Sequence, residues 1–126
     1  MLKKITFIDY KKEVYKIFIE QDNLYYSVKD EIIMLGEYVK DYCVKYFNKS
    51  IWIAFYDEKY KIYLVDISLK YNKKIKKHLH MNSKRYSLYI DSLDMIITNE
   101  DKINLIFMGW DKEKTFLFKG YRKLYL

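Results

Sequence analysis

The fold depends first on residues 27–49, with the sequence SVKDEIIMLGEYVKDYCVKYFNK. Apolar residues recur in this stretch at spacings of four and three, as they do on one face of an α-helix. They are Val28, Ile32, Leu35, Val39, Tyr42 and Tyr46. Ser27 is placed to cap such a helix, acidic residues follow it, and lysines come near the end, as the helix dipole favours. The pattern predicts one long amphipathic helix over about 27–49.

Outside this stretch the sequence is dominated by β-branched and aromatic residues in short runs, which favour strands. Residues 2–8 alternate in the manner of a strand. Two hairpins are predicted from pairs of such runs separated by polar connections. Their strands are 51–56 with 60–69, and 103–110 with 115–126.

Two segments allow more than one interpretation. Residues 13–28 fit a hairpin with a polar turn at 20–23, or a helix with Tyr10, Val14, Ile17 and Phe18 on one face. We favour the hairpin, because its strands are rich in β-prone residues. For residues 86–98 we predict a short strand followed by one or two helical turns.

A chain of 126 residues has the length of one domain. We therefore predict a single compact domain over 1–126. Because predicted strands outnumber the one long helix, the predicted fold class is α+β. It consists mainly of an antiparallel sheet built from hairpins, with the helix of about 27–49 packed on one face.

The charge of the chain is concentrated in one region. The chain holds 24 Lys and Arg against 17 Asp and Glu, a net charge of +7. No acidic residue occurs between Asp66 and Asp91, whereas seven basic residues fall there, and the rest of the chain is balanced. Coding in an AT-rich genome also enriches Lys, Tyr and Asn, so the position of the charge is more informative than its total. A local excess of this kind indicates a surface for a negatively charged partner.

This basic segment alternates cations with aromatic residues and histidines. Lysines meet phosphate oxygens as point charges, and aromatic faces stack on unpaired bases. Because only Arg85 and Arg122 are arginines, we expect little readout of base edges. The predicted nucleic-acid or partner-binding residues are Lys70, Tyr71, Lys73, Lys74, Lys76, Lys77, His78, His80, Lys84, Arg85 and Tyr86.

The sequence contains no recognisable catalytic motif. Its three glycines are scattered, so neither a phosphate-binding loop nor a dinucleotide fingerprint is present. His78 and His80 would lie on the same side of an extended segment, but a metal site needs further ligands that the neighbouring residues do not offer. In the run from Asp66 to Lys70 the acid stands too far from the lysine for a restriction-type nuclease. We therefore predict no catalytic residue, no metal and no cofactor.

The leading functional hypothesis is a non-enzymatic protein that acts by occupancy on nucleic acid or on a nucleoprotein complex. One alternative is a small phage-type inhibitor, such as an anti-CRISPR or other anti-defence protein, that docks on a host effector through a protein interface. A further alternative is a divergent metal-dependent nuclease or nucleotide hydrolase. Fifteen tyrosines exceed the needs of one core, so some are expected at an interface. The candidates are Tyr25, Tyr26, Tyr56, Tyr121 and Tyr125.

Composition also bears on where the protein works. Cys43 is the single cysteine, so the chain forms no internal disulfide and nothing in it indicates an oxidising compartment. No apolar run approaches the roughly 20 residues that cross a bilayer. We expect a cytoplasmic protein that does not bind membranes.

Overall fold

The computed structural model describes residues 2–47, 49–59, 61–68, 76–82, 88–97, 102–111 and 117–125. Eleven strands make up nearly all of this part of the chain, and none of it forms an α-helix. The strands are β1 Leu2–Tyr10, β2 Glu13–Glu20, β3 Asn23–Val28, β4 Glu31–Gly36, β5 Val39–Phe47, β6 Ser50–Asp57, β7 Lys61–Asp66, β8 Lys76–Asn82, β9 Leu88–Ile97, β10 Lys102–Asp111 and β11 Leu117–Tyr125.

The strands form three sheets, each built from strands that follow one another in sequence. Their orders are β1-β2-β3-β4, β5-β6-β7-β8 and β11-β10-β9. Every strand pair whose register is described is antiparallel. The chain divides into two compact units, Met1–Lys40 and Asp41–Leu126, which we call the N-terminal and C-terminal units. The single domain over 1–126 stays a prediction.

The N-terminal unit is a four-stranded meander with one buried face. The side chains of this inner face alternate along β2 and β3 and pair across the two strands, as a half-buried sheet requires. They are Tyr15, Ile17, Ile19, Leu24, Tyr26 and Val28, all buried. Tyr15 stacks on Tyr26 with ring centroids 6.2 Å apart, and Tyr10 meets Tyr15 edge-on at 5.7 Å. The inner face is therefore a continuous apolar and aromatic layer.

Tight turns join the strands of the N-terminal unit. The turns between β1 and β2 and between β2 and β3 each have two residues with positive φ, 49° and 64° at Lys11 and Lys12, and 50° and 66° at Gln21 and Asp22. This backbone matches the twist of neighbouring strands in a two-residue hairpin. None of these four residues is glycine, so the turns are held by the sheet rather than by intrinsic preference. The carbonyl of Asp22 also accepts a hydrogen bond from the Val39 amide, at 2.7 Å.

The C-terminal unit contains the most deeply buried strand described. All six residues Ile51, Trp52, Ile53, Ala54, Phe55 and Tyr56 of β6 are buried. A strand reads as a continuous apolar run in this way when both of its faces are covered. It pairs with β7 and also contacts β9. This strand forms the centre of the core in the described part of the unit.

The predicted helix over 27–49 is wrong, and the α+β fold class is wrong with it. Residues 31–36 and 39–47 form β4 and β5, joined by a turn in which Tyr38 has a φ of 54°. Two residues of the predicted apolar stripe, Ile32 and Tyr46, are exposed. The stretch is rich in Val, Ile and Tyr and contains no alanine, so strand preference and sheet pairing prevail over a helical period.

Most hairpin predictions are confirmed. The strand at 2–8 is β1, and the hairpin within 13–28 is β2 and β3, which removes the helical alternative for that segment. The hairpins at 51–69 and 103–126 are β6 with β7 and β10 with β11. The prediction for 86–98 is wrong in its helical part, because β9 continues as a strand to Ile97.

Candidate functional site

The predicted basic surface falls partly within the described chain. Lys76, Lys77, His78 and His80 lie in β8, the last strand of its sheet. The other predicted binding residues lie outside the described residues. They are Lys70, Tyr71, Lys73, Lys74, Lys84, Arg85 and Tyr86. The structure therefore brings four of the eleven predicted positions together in one strand.

The pairing of β8 with β7 fixes the order of these four positions. Lys76 stands opposite Asp66, Lys77 opposite Val65, and His80 opposite Tyr63. The register shifts between Leu64 and Val65, so that His78 is an extra residue of β8 in the manner of a β-bulge. This irregularity removes the basis for predicting His78 and His80 on the same side, since that prediction assumed unbroken alternation. Lys77 and His80 instead occupy the register positions opposite Val65 and Tyr63.

Asp66 is the buried charged residue of the described chain. Its Oδ1 accepts hydrogen bonds from the amide and the hydroxyl of Ser68, at 2.9 and 2.6 Å. Two such bonds stabilise a carboxylate and fix the turn that follows β7. Its register position opposite Lys76 also places a negative charge next to the basic strand. Asp66, which the nuclease hypothesis would need as a metal ligand, therefore has a structural role in this turn.

The turn between β6 and β7 contains a second carboxylate with defined partners. Asp57 Oδ1 accepts hydrogen bonds from the amides of Lys59 and Lys61, at 2.9 and 3.0 Å. The Tyr63 hydroxyl donates to Asp57 Oδ2 at 3.4 Å, and the Tyr63 ring stacks on Phe55 with centroids 5.0 Å apart. Burial above all, and then the charge of Asp57 and this hydrogen bond, raise the pKa of Tyr63 above its ordinary value of 10.0.

Tyr63 lies next to the basic strand β8 but is not among the residues predicted to bind a partner. It is half-buried, and its register partner on β8 is His80. Because side chains alternate along β7, Tyr63 lies on the opposite face from Ile62 and Leu64, and this alternation could have identified it from the sequence. Of the tyrosines expected at an interface, Tyr26 and Tyr56 are buried, which contradicts that expectation.

The two units differ in charge. The N-terminal unit contains seven lysines and seven acidic residues and is neutral. The C-terminal unit therefore carries the remaining 17 basic and ten acidic residues, and with them the whole net charge of +7. A charge confined to one unit creates a local field that attracts anions.

Within the described residues, no three His, Cys, Asp or Glu side chains lie close enough together to hold a metal ion. A search of the same residues finds no helix with the length and apolar character needed to cross a membrane. No protein-family model, curated protein or solved structure matches the chain.

Proposed function

We propose that the chain is a non-enzymatic binding protein that acts by occupancy, and that its C-terminal unit holds a single nucleic-acid strand by the phosphates, alone or within a nucleoprotein complex. The observation that carries this proposal is the confinement of the net charge of +7 to that unit. Four of the predicted binding positions follow one another along β8 within the same unit.

The chemistry of these positions suits a flexible anionic strand. Residues on a strand are spaced by about 3.3 Å, so the basic positions of β8 can follow a phosphate backbone. Histidines at 78 and 80 belong to the same segment, which contains no acidic residue. Because the chain has 22 lysines but two arginines, binding should depend strongly on salt and weakly on sequence.

The test is binding to a fluorescently labelled single strand of about 20 nucleotides, measured by anisotropy over a range of salt concentrations. The test variant replaces Lys73, Lys74, Lys76 and Lys77 by Gln. The control replaces four lysines of the neutral unit by Gln and removes the same total charge. These are Lys3, Lys4, Lys11 and Lys12.

For each phosphate contacted, the logarithm of the wild-type binding constant should fall by about 0.7 per tenfold increase in salt. The test variant should bind at least about tenfold more weakly at low salt and show a shallower slope. The control variant should keep most of the affinity and the same slope. Equal binding by the wild type and the test variant would refute the proposal.

A second outcome would also refute it. If the wild type binds no nucleic acid but retains a protein from a host lysate after nuclease treatment, the function is that of an inhibitor docking on a protein. Divalent-metal-dependent cleavage of the labelled strand by the wild type would support the nuclease alternative instead.

A further inference from the structure

The second face of the N-terminal sheet, which we call the outer face, exposes several large apolar side chains. Residues on it alternate with those of the inner face and pair in register across all four strands. The large apolar side chains with high exposure are Ile5, Phe7, Val14, Ile32 and Met34, between 43% and 67%. Exposed apolar surface on this scale marks an interaction site more often than a solvated surface.

One row of the outer face is apolar from edge to edge. Ile5 pairs with Phe18, Phe18 with Tyr25, and Tyr25 with Met34, so that the row crosses β1, β2, β3 and β4. Phe18 and Tyr25 stack with ring centroids 5.4 Å apart, which gives the row a rigid aromatic centre. Phe18 itself is only 5% exposed, so the exposed apolar side chains of the row are those of Ile5 and Met34 at its two ends. Such a row provides the shape of one half of a sheet-on-sheet interface.

On β2, residues of opposite charge flank this row. On β2, Lys16 lies one step along the outer face from Phe18, and Glu20 lies one step in the other direction. The Lys16 ammonium is 4.7 Å from the centre of the Phe18 ring, and Glu20 is exposed. The unit as a whole is neutral, with equal numbers of basic and acidic residues. The outer face therefore has no net field that would select a nucleic acid or another strongly charged partner.

We propose that the outer face binds the outer face of a second copy of this chain. A two-fold axis along the apolar row places each residue of the row against the same residue of the second copy. The same operation brings Lys16 of one copy opposite Glu20 of the other, and Glu20 opposite Lys16. At these two positions the face is complementary to itself in charge, as a symmetric dimer requires.

The area of the outer face indicates how tightly two copies should bind. Four strands about 4.8 Å apart and about 20 to 27 Å long cover roughly 400 to 500 Å² per copy in projection. This is smaller than the roughly 800 Å² per partner of a standard stable interface. The dimer should therefore be weak, with a dissociation constant on the order of micromolar.

Analytical ultracentrifugation of the full chain over about 1 to 500 μM tests the proposal, with circular dichroism to check that each variant is folded. Met34→Lys places two lysines against each other at the interface and should weaken dimerisation at least tenfold. The matched control is Ile96→Lys, at a strand residue of the C-terminal unit with 49% exposure. It should leave the dimer unchanged.

A charge exchange identifies the second copy as the partner. Lys16→Glu and Glu20→Lys should each weaken self-association, because each sets like charges opposite one another. An equimolar mixture of the two variants should form heterodimers with wild-type affinity, and the double variant should self-associate again. A chain that stays monomeric at 500 μM, or variants whose mixture does not associate, would overturn the proposal.

Discussion

Tyr63 is a residue whose surroundings in the structure change its pKa. Its ring packs on Phe55 and its hydroxyl donates to the Asp57 carboxylate, which also holds the turn between β6 and β7. These surroundings disfavour the phenolate, because burial removes water and Asp57 is already negative. The raised pKa of Tyr63 therefore depends on the folded hairpin.

The raised pKa of Tyr63 should make the free energy of unfolding depend on pH above about pH 10. The neutral phenol contributes to the free energy of unfolding below about pH 10, and the contribution is lost as the pH rises through the raised pKa of folded Tyr63. In urea unfolding at pH 8 to 11.5, the wild type should lose more stability than Tyr63→Phe. Asp57→Asn, which keeps an acceptor for the turn, should reduce the difference. Parallel curves for the wild type and Tyr63→Phe would contradict this assignment.

At the scale of elements, the sequence predicted hairpins correctly and the long helix wrongly. Runs such as 14–19 and 51–56 contain β-prone residues at both odd and even positions, and polar turn residues stand at their ends. In 27–49 the apolar spacing of four and three arises across two tight turns, at Lys29 with Asp30 and at Glu37 with Tyr38. A spacing rule cannot distinguish one helix from short strands whose turns supply the extra residues.

The two proposed binding surfaces were predictable to different degrees. The excess charge and its segment follow directly from the positions of Lys and Asp in the sequence. The outer face does not, because its apolar row forms only when Ile5, Phe18, Tyr25 and Met34 come into register from four strands. In the sequence, the outer face is indicated only by adjacent apolar residues in β2, such as Ile17 and Phe18, which must point to opposite faces of the sheet.

Two truncations within β4 distinguish the strand from the predicted helix. Both Ile32 and Leu35 would lie on the buried stripe of a helix, but in the strand Leu35 is 4% exposed and Ile32 is 67% exposed. Leu35→Ala should lower the free energy of unfolding by about 2 to 5 kcal/mol. Ile32→Ala should lower it by less than about 0.5 kcal/mol. Urea unfolding at low protein concentration measures both, and similar losses would contradict the observed register.

At the scale of the whole molecule, charge and exposed apolar surface belong to different units. The N-terminal unit is neutral and presents the outer face, while the C-terminal unit carries the net charge of +7. If both proposals hold, self-association through one unit brings two cationic units into one particle. Two linked sites bind a strand that reaches both more tightly than either site alone.

The length of the nucleic-acid strand should therefore determine how much more tightly the dimer binds than a variant that does not self-associate. At protein concentrations above the dimer dissociation constant, the wild type should bind a strand of about 60 nucleotides at least tenfold more tightly than Lys16→Glu does. For a strand of about 10 nucleotides the two should differ by less than about threefold. Competition anisotropy measures both affinities. If the ratio of the wild-type affinity to the Lys16→Glu affinity is the same for both nucleic-acid lengths, self-association does not contribute to binding.

The order of strands within the sheets has a consequence for how the chain reaches this structure. Every described strand neighbours only strands adjacent to it in sequence. Pairing can thus spread from one turn to the next without first closing a long loop, and the entropy lost at each step is small. Within each sheet, a new strand can therefore pair with the strand before it as soon as both have left the ribosome, without waiting for a later part of the chain.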